Sequence, residues 1–280
     1  MKNQIKLLEQ YFSKRPEISF AFLFGSWAKN RGSRISDWDI AVYFKPSAGH
    51  PVEWEAVKSC YPQEDKIWND LIDILKTDNV DFIVLNRAPS NIAASAISEG
   101  IPLIIRDRGL FIDFMLLTMR QAEDYADFVN NYYEISQRSA SLGQRDKERL
   151  GKIVYFLEKE LFFYDYFSKF SFTDYQDGHK RRDLERWVEN VVNSAIDIGE
   201  IILASERKKI PDYYKDVFDE IGLLPQFKSM DVERFTAWVK LRNILAHEYL
   251  DIKWQRIHSF VEDSMEHIRK FLESAKEFLK

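Results

Sequence analysis

Cysteine is nearly missing from this chain. Among its 280 residues only Cys60 carries a thiol, so no disulfide can close within the chain and no cysteine-based zinc cluster can be built. Long apolar runs are missing too. None approaches the roughly 20 residues that a membrane-spanning helix needs, so no membrane partner is expected. The opening Met1-Lys2-Asn3-Gln4 turns polar at once and lacks the apolar core of a secretion signal. The expected location is the cytoplasm. A basic excess is absent as well: 40 Lys and Arg stand against 45 Asp and Glu, a formal net charge of -5. That excludes a chain coated with cations for nucleic acid, and any RNA contact has to be local. There is no internal repeat and no low-complexity tract. What is present is 45% hydrophobic, 30% charged and 15% aromatic residues. This is the composition of a globular protein that can bury a core, at a length that suits two modest domains better than one.

Hydrophobic spacing divides the chain by element type. Residues 3–13 place Ile5, Leu8 and Phe12 at helical spacing, and Pro16 ends that helix. ISFAFLFG (18–25) reads as a buried strand closed by glycine. In DWDIAVYF (37–44), Trp38, Ile40, Val42 and Phe44 share one face while Asp37, Asp39, Ala41 and Tyr43 share the other. Residues 53–77 read as helical and VDFIVLN (80–86) as a strand. NIAASAISE (91–99) reads as a helix stopped by Gly100, and IPLIIR (101–106) as a further strand. Strands alternating with helices predict an α/β layer, a mixed sheet carrying helices. From residue 110 onward the periodicity is helical: 110–138, 144–168, 180–206, 211–222, 231–247 and 254–279. The small residues SASLG (139–143) suit a boundary. The expected organisation is an α/β domain over 1–138 followed by an all-α bundle over 140–280.

One stretch, GSWAKNRGSRISDWD (25–39), holds candidates for nucleotide chemistry. Phosphoryl transfer needs a cradle for the triphosphate, a divalent cation and carboxylates to hold the cation. Gly25 lets backbone approach a phosphate and Ser26 adds a hydroxyl. Asp37 and Asp39, two residues apart on a strand, project from one face. Two like charges that close repel unless a cation neutralises them, and Mg2+ favours carboxylate with phosphate oxygens. A third carboxylate has to come from a neighbouring strand. Asp81 is the candidate, with Asp78 as the alternative. An isolated Asp-x-Asp is commonly a solvated turn, and a Gly-Ser before a helix is an ordinary cap. The joint pattern of strand, Gly-Ser, fixed gap, Ser-Asp-x-Asp and strand is far more specific.

These residues resemble the signature of the minimal nucleotidyltransferases of the DNA polymerase β superfamily. Gly25-Ser26, Ala28-Lys29 and Ser36-Asp37-Trp38-Asp39 match its spacing, and VDFIVLNRAP resembles its third-carboxylate strand. Asn30 stands where the family commonly has glycine, and asparagine tolerates a positive φ. The resemblance covers roughly residues 1–138. It implies ATP as nucleotide substrate, Mg2+ on Asp37, Asp39 and Asp81, and Gly25 and Ser26 at the nucleotide.

A second group, LRNILAHEYLDI, gathers Arg242, Asn243, His247 and Tyr249. On a helix Asn243 and His247 lie one turn apart on the same face. A histidine to move a proton and an arginine to hold a phosphate suit metal-independent RNA cleavage. A symmetric dimer would bring two copies of the set together. From the residues alone, a packed histidine among Ile244, Leu245 and Ala246 is the simpler account. The segment is, however, similar to the Arg-x4-His motif of HEPN domains, in the branch that starts Arg-Asn and ends His-x-Tyr. RRDLERWVENVVNSAIDIGEII and IPDYYKDVFDEIGLLP resemble the same branch in order and spacing.

Proteins resembling the two halves occur as antitoxin and toxin. The resemblance thus implies a single-chain toxin–antitoxin-like protein. It further implies that the nucleotidyltransferase site would transfer AMP from ATP to the tyrosine of the His-x-Tyr motif, here Tyr249, and that the HEPN half would be a ribonuclease acting on RNA, expected as a dimer. The alternative is a nucleotidyltransferase for a small molecule or another protein, with the helical half a binding or dimerisation module. The cationic run Lys180-Arg181-Arg182 with Arg186 reads first as a solvated helix face.

Overall fold

An apolar run without one charge builds the middle of the first layer. The computed structural model describes residues 2–29, 31, 36–46, 52–54, 59–138, 142–211, 213–214, 216–247 and 254–280. In it Ile18–Phe24 is strand β1, buried throughout. Around it the chain runs α1 (Lys2–Ser13), α2 (Gly25–Ala28), β2 (Trp38–Phe44), α3 (Glu64–Leu75), β3 (Val80–Val84), α4 (Ser90–Glu99), β4 (Ile101–Ile105) and α5 (Arg108–Arg138). The sheet order is β3-β2-β1-β4. β1 is antiparallel to β2 and to β4, whereas β2 and β3 are parallel. The expected mixed sheet is therefore present, and β1 is buried on both faces because helices cover both.

Alternation sorts the strand residues into two cores. Trp38, Ile40, Val42 and Phe44 pack with Leu8 and Phe12 of α1 and Ile67 and Leu71 of α3. Ala41 and Tyr43 point the other way, to Ala93, Ala96 and Ile97 of α4 and Phe114 of α5. One expectation fails. Of the helix read over 53–77, the described residues are helical over Glu64–Leu75, residues 53–54 and 59–61 are not helical, and 55–58 lie outside the described residues. Pro62 explains the late start, because it disfavours helical backbone in the residue before it and lacks an N–H to donate.

The rest of the described chain is mostly helical, as expected. It forms α6 (Gln144–Leu161), α7 (Tyr164–Phe167), α8 (Phe172–Gln176), α9 (Gly178–Ser205), α10 (Asp216–Gly222), α11 (Val232–His247) and α12 (Trp254–Lys276). The helix read over 144–168 is broken after Leu161, with the aromatic pair Phe162 and Phe163 at the turn. α9 is the centre, packed by α6, α8, α10, α11 and α12. Asp177 starts it by accepting the backbone N–H groups of His179 and Lys180 at 2.9 and 3.1 Å. From Ser194 to Ser205 nearly every residue is buried, which is what a helix apolar on all sides does. Three cations of the 180–186 run are engaged locally: Lys180 with Asp174, Arg181 with Glu185 and Arg186 with Glu189.

By internal packing the chain forms two units, Met1–Tyr125 and Ala126–Lys280, which divide within α5. No helix among the described residues is long and apolar enough to cross a membrane.

Candidate functional site

In the first unit, register brings two carboxylates side by side. Asp39 of β2 and Asp81 of β3 are partners in the parallel ladder, whose strands lie ~4.8 Å apart. Asp78 falls outside the strand, before Val80. Asp37 stands one residue ahead of β2 with the same parity as Asp39. Asp37 and Asp81 are exposed and Asp39 is half-buried. The proton affinity of Asp39 is raised, first by burial, then by the charges of Asp81 and Asp37, against a smaller opposing hydrogen bond from its own backbone. Three carboxylates thus share one end of the sheet and repel.

The glycine after β1 meets this group directly. Phe24 pairs with Asp39 across β1 and β2. Gly25 then turns with φ +68, and a Cβ on it would stand 2.0 Å from Oδ2 of Asp39. Only glycine satisfies both demands. Ser26 follows in the single turn α2, and its carbonyl accepts the N–H of Arg31 at 2.9 Å. Lys29 is paired with Glu99 at 2.6 Å. Asn30 and Arg34 lie outside the described residues.

The donor set suits a hard divalent cation, because the cation would relieve the repulsion that raises Asp39. The side chains are not drawn into a ligand cage: among the described residues no three His, Cys, Asp or Glu form a group that could hold a metal ion.

In the second unit Arg242 and Asn243 of α11 come together. Nε of Arg242 donates to Oδ1 of Asn193 on α9 at 2.6 Å, and Nη1 reaches Oδ1 of Asn243 at 3.3 Å. The guanidinium also lies over the ring of Tyr214, 5.7 Å from its centroid. Asn243 is 1% exposed, so it is a buried partner of Arg242. His247 closes α11. Its side chain, and the whole of Tyr249, lie outside the described residues.

Sequence reading missed what surrounds Arg242. Asn193, Asp197 and Glu200 follow one another at helical spacing on α9, a polar stripe inside an apolar helix. Glu200 is 2% exposed, and its Oε1 has no hydrogen-bond partner among the described residues. Burial first, then Asp197, push the Glu200 carboxyl up to about 8, against Arg149. Burial also raises Asp197, while Arg149 and Arg242 oppose it. The signal available in sequence was three polar residues at spacings of four and three within VVNSAIDIGEII.

Two family models match the chain. The polymerase beta nucleotidyltransferase model matches residues 6–109, and the HepT-like ribonuclease model matches residues 156–275. No curated protein matches. Among solved structures, a toxin–antitoxin crystal structure with AMP-PNP is 22% identical over 46% of this chain and 95% of its own, with a TM-score of 0.34. A mutant of the MntA-HpeT toxin–antitoxin is also 22% identical, over 46% of this chain and 96% of its own, with a TM-score of 0.33.

Proposed function

We propose that this chain, in which a region similar to the polymerase beta nucleotidyltransferases precedes one similar to the HepT-like ribonucleases, transfers AMP from ATP to a tyrosine hydroxyl. The observation that carries the reading is the group of Asp39, Asp81 and Asp37 with Gly25 pressed against the Asp39 carboxylate. A site of three repelling carboxylates beside a tight glycine turn serves no packing purpose. It suits a polyphosphate that arrives with a cation.

Asp37, Asp39 and Asp81 would hold Mg2+, which when bound offsets the charge of the triphosphate and of the departing pyrophosphate. Gly25 leaves room for phosphate oxygens against the backbone, and Ser26 offers a hydroxyl donor. The acceptor oxygen attacks the α-phosphorus of ATP. The bond from that phosphorus to the bridging oxygen breaks, pyrophosphate leaves, and the hydroxyl proton passes to solvent. Asp81 is exposed, so it is open to an incoming acceptor.

Tyr249 is the acceptor we favour, within the chain or across a dimer. In the second half Arg242, steadied by Asn193 and Asn243, holds an RNA phosphate, and His247 moves the proton of the 2′-hydroxyl. An AMP group on Tyr249 would add negative charge close in sequence to Arg242 and His247, occupying the arginine and repelling RNA.

Incubation with Mg2+ and ATP followed by intact-mass measurement tests this reading. One AMP adduct is expected on the wild type, absent in Tyr249→Phe and in Asp39→Asn. An adduct that survives Tyr249→Phe moves the acceptor elsewhere. No adduct on this chain, with transfer to an added small molecule or protein, favours the alternative acceptor class.

A further inference from the structure

Behind the carboxylates, on the opposite face of β2, two tryptophans stack. The rings of Trp27 and Trp38 lie 4.5 Å apart at an interplanar angle of 13°. Nε1 of Trp27 also donates to the carbonyl of Ser36 at 3.2 Å. Each partner has a telling neighbour in sequence. Trp27 directly follows Ser26, Ser36 directly precedes Asp37, and Trp38 sits between Asp37 and Asp39. Trp38 is 6% exposed, and Trp27 packs against the same core as α1 and α3. The two residues therefore join the Gly25-Ser26 turn to the carboxylate strand from behind, while Gly25 touches Asp39 in front.

We propose that Trp27 is a positioning residue for the nucleotide site. Its stack on Trp38 and its hydrogen bond to Ser36 fix the separation between Ser26 and the pair Asp37 and Asp39. One side must hold the phosphates and the other the cation that bridges to them, so their spacing sets how well one MgATP satisfies both. The inference rests on the nucleotidyltransferase reading above. Misplacement by about 1 Å at such a site costs up to about 100-fold in rate.

The test compares two stacks in one core. Phe44 at the far end of β2 stacks on Tyr61, with centroids 4.3 Å apart at 7°, and Tyr61 packs against the same cluster as Trp27. MgATP affinity by titration calorimetry, which needs no acceptor, is measured for wild type, Trp27→Leu, Trp27→Phe and Tyr61→Leu, with thermal melts alongside. The expected result is about 10-fold weaker MgATP binding in Trp27→Leu, partial rescue in Trp27→Phe, and wild-type affinity in Tyr61→Leu despite a comparable drop in Tm. Equal affinity in Trp27→Leu and wild type overturns the positioning role and leaves the nucleotidyltransferase reading intact. An equal loss in Tyr61→Leu reduces Trp27 to ordinary packing and likewise overturns it. A wild type that binds no MgATP overturns both. If Trp27→Leu does not fold, Trp27→Phe decides, since it keeps one ring on Trp38 while trimming the stack and removing the donor to Ser36: affinity equal to wild type there overturns the proposal.

Discussion

At the scale of single residues, Gly25 and Asp39 constrain each other. The positive φ of Gly25 and its contact with the Asp39 carboxylate leave no room for a methyl group. Gly25→Ala is expected to cost roughly 1–3 kcal/mol of stability, because alanine strains at this φ. The same change should weaken MgATP binding, since the carboxylate must move. A thermal melt and a calorimetric titration check the two halves of that expectation. Asp39→Asn should do something different. It removes a charge that burial, and then the repulsion of Asp81 and Asp37, already disfavour, so the melting temperature should stay level or rise, while AMP transfer falls by more than about 100-fold. Stability lost together with activity would mean the carboxylate holds the fold and not a cation. Both residues stood out in the sequence as parts of one pattern. Their contact did not, because it depends on the register of β1 and β2 across a turn.

At the scale of elements, α9 carries the largest electrostatic consequence. Glu200 is buried there with its carboxyl pushed up to about 8, against about 4.3 for an unfolded glutamate. Between those two values the folded chain holds a proton that the unfolded chain has released. Stability contributed by this group is therefore fully present near pH 4 and declines as pH rises, levelling off above about 8. Asp197, raised by the same burial, acts in the same direction. Glu200→Gln removes the penalty and keeps the shape. The variant should match wild type at pH 4 and melt several degrees higher at pH 9, which a series of thermal melts from pH 4 to 9 would show. A constant difference across that range would assign the gain to packing. The same helix supplies Asn193 to Arg242. Asn193→Ala should lower any RNA cleavage about 10-fold or more, by loosening the guanidinium while leaving α11 in place; RNA cleavage at matched protein stability is the measurement. α9 itself was plain in the sequence, whereas the helices read over 53–77 and 144–168 came out shorter. In the first case Pro62 delays the start, and in the second the chain turns at Phe162 and Phe163.

At the scale of the whole chain, α5 is the element that both halves use. Its first part supplies Phe114 to the sheet core. Its second part supplies Phe128, Tyr132 and Ile135, all buried. Tyr132 donates to the carbonyl of Lys208 at 2.8 Å, and Phe128 packs edge-on to Tyr214. A fragment spanning 126–280 is therefore expected to unfold cooperatively. One spanning 140–280 should lose much of its stability, since a buried aromatic removed from a core costs about 3–5 kcal/mol. Circular-dichroism melts of the two fragments compare them, and equal stability would place the working boundary at 138–140. By itself the sequence determined the mixed α/β layer, the helical half and the local grouping of Asp37 with Asp39 and of Arg242 with Asn243. Those follow from hydrophobic period and short spacing, which act between near neighbours. Only the tertiary structure decided that Asp81 and not Asp78 is the register partner of Asp39, that Gly25 presses on its carboxylate, that Trp27 stacks behind it, and that Asn193 meets Arg242. These pairings join residues from different elements, and no local pattern encodes them, because they arise from strand register and helix packing that the whole core sets at once.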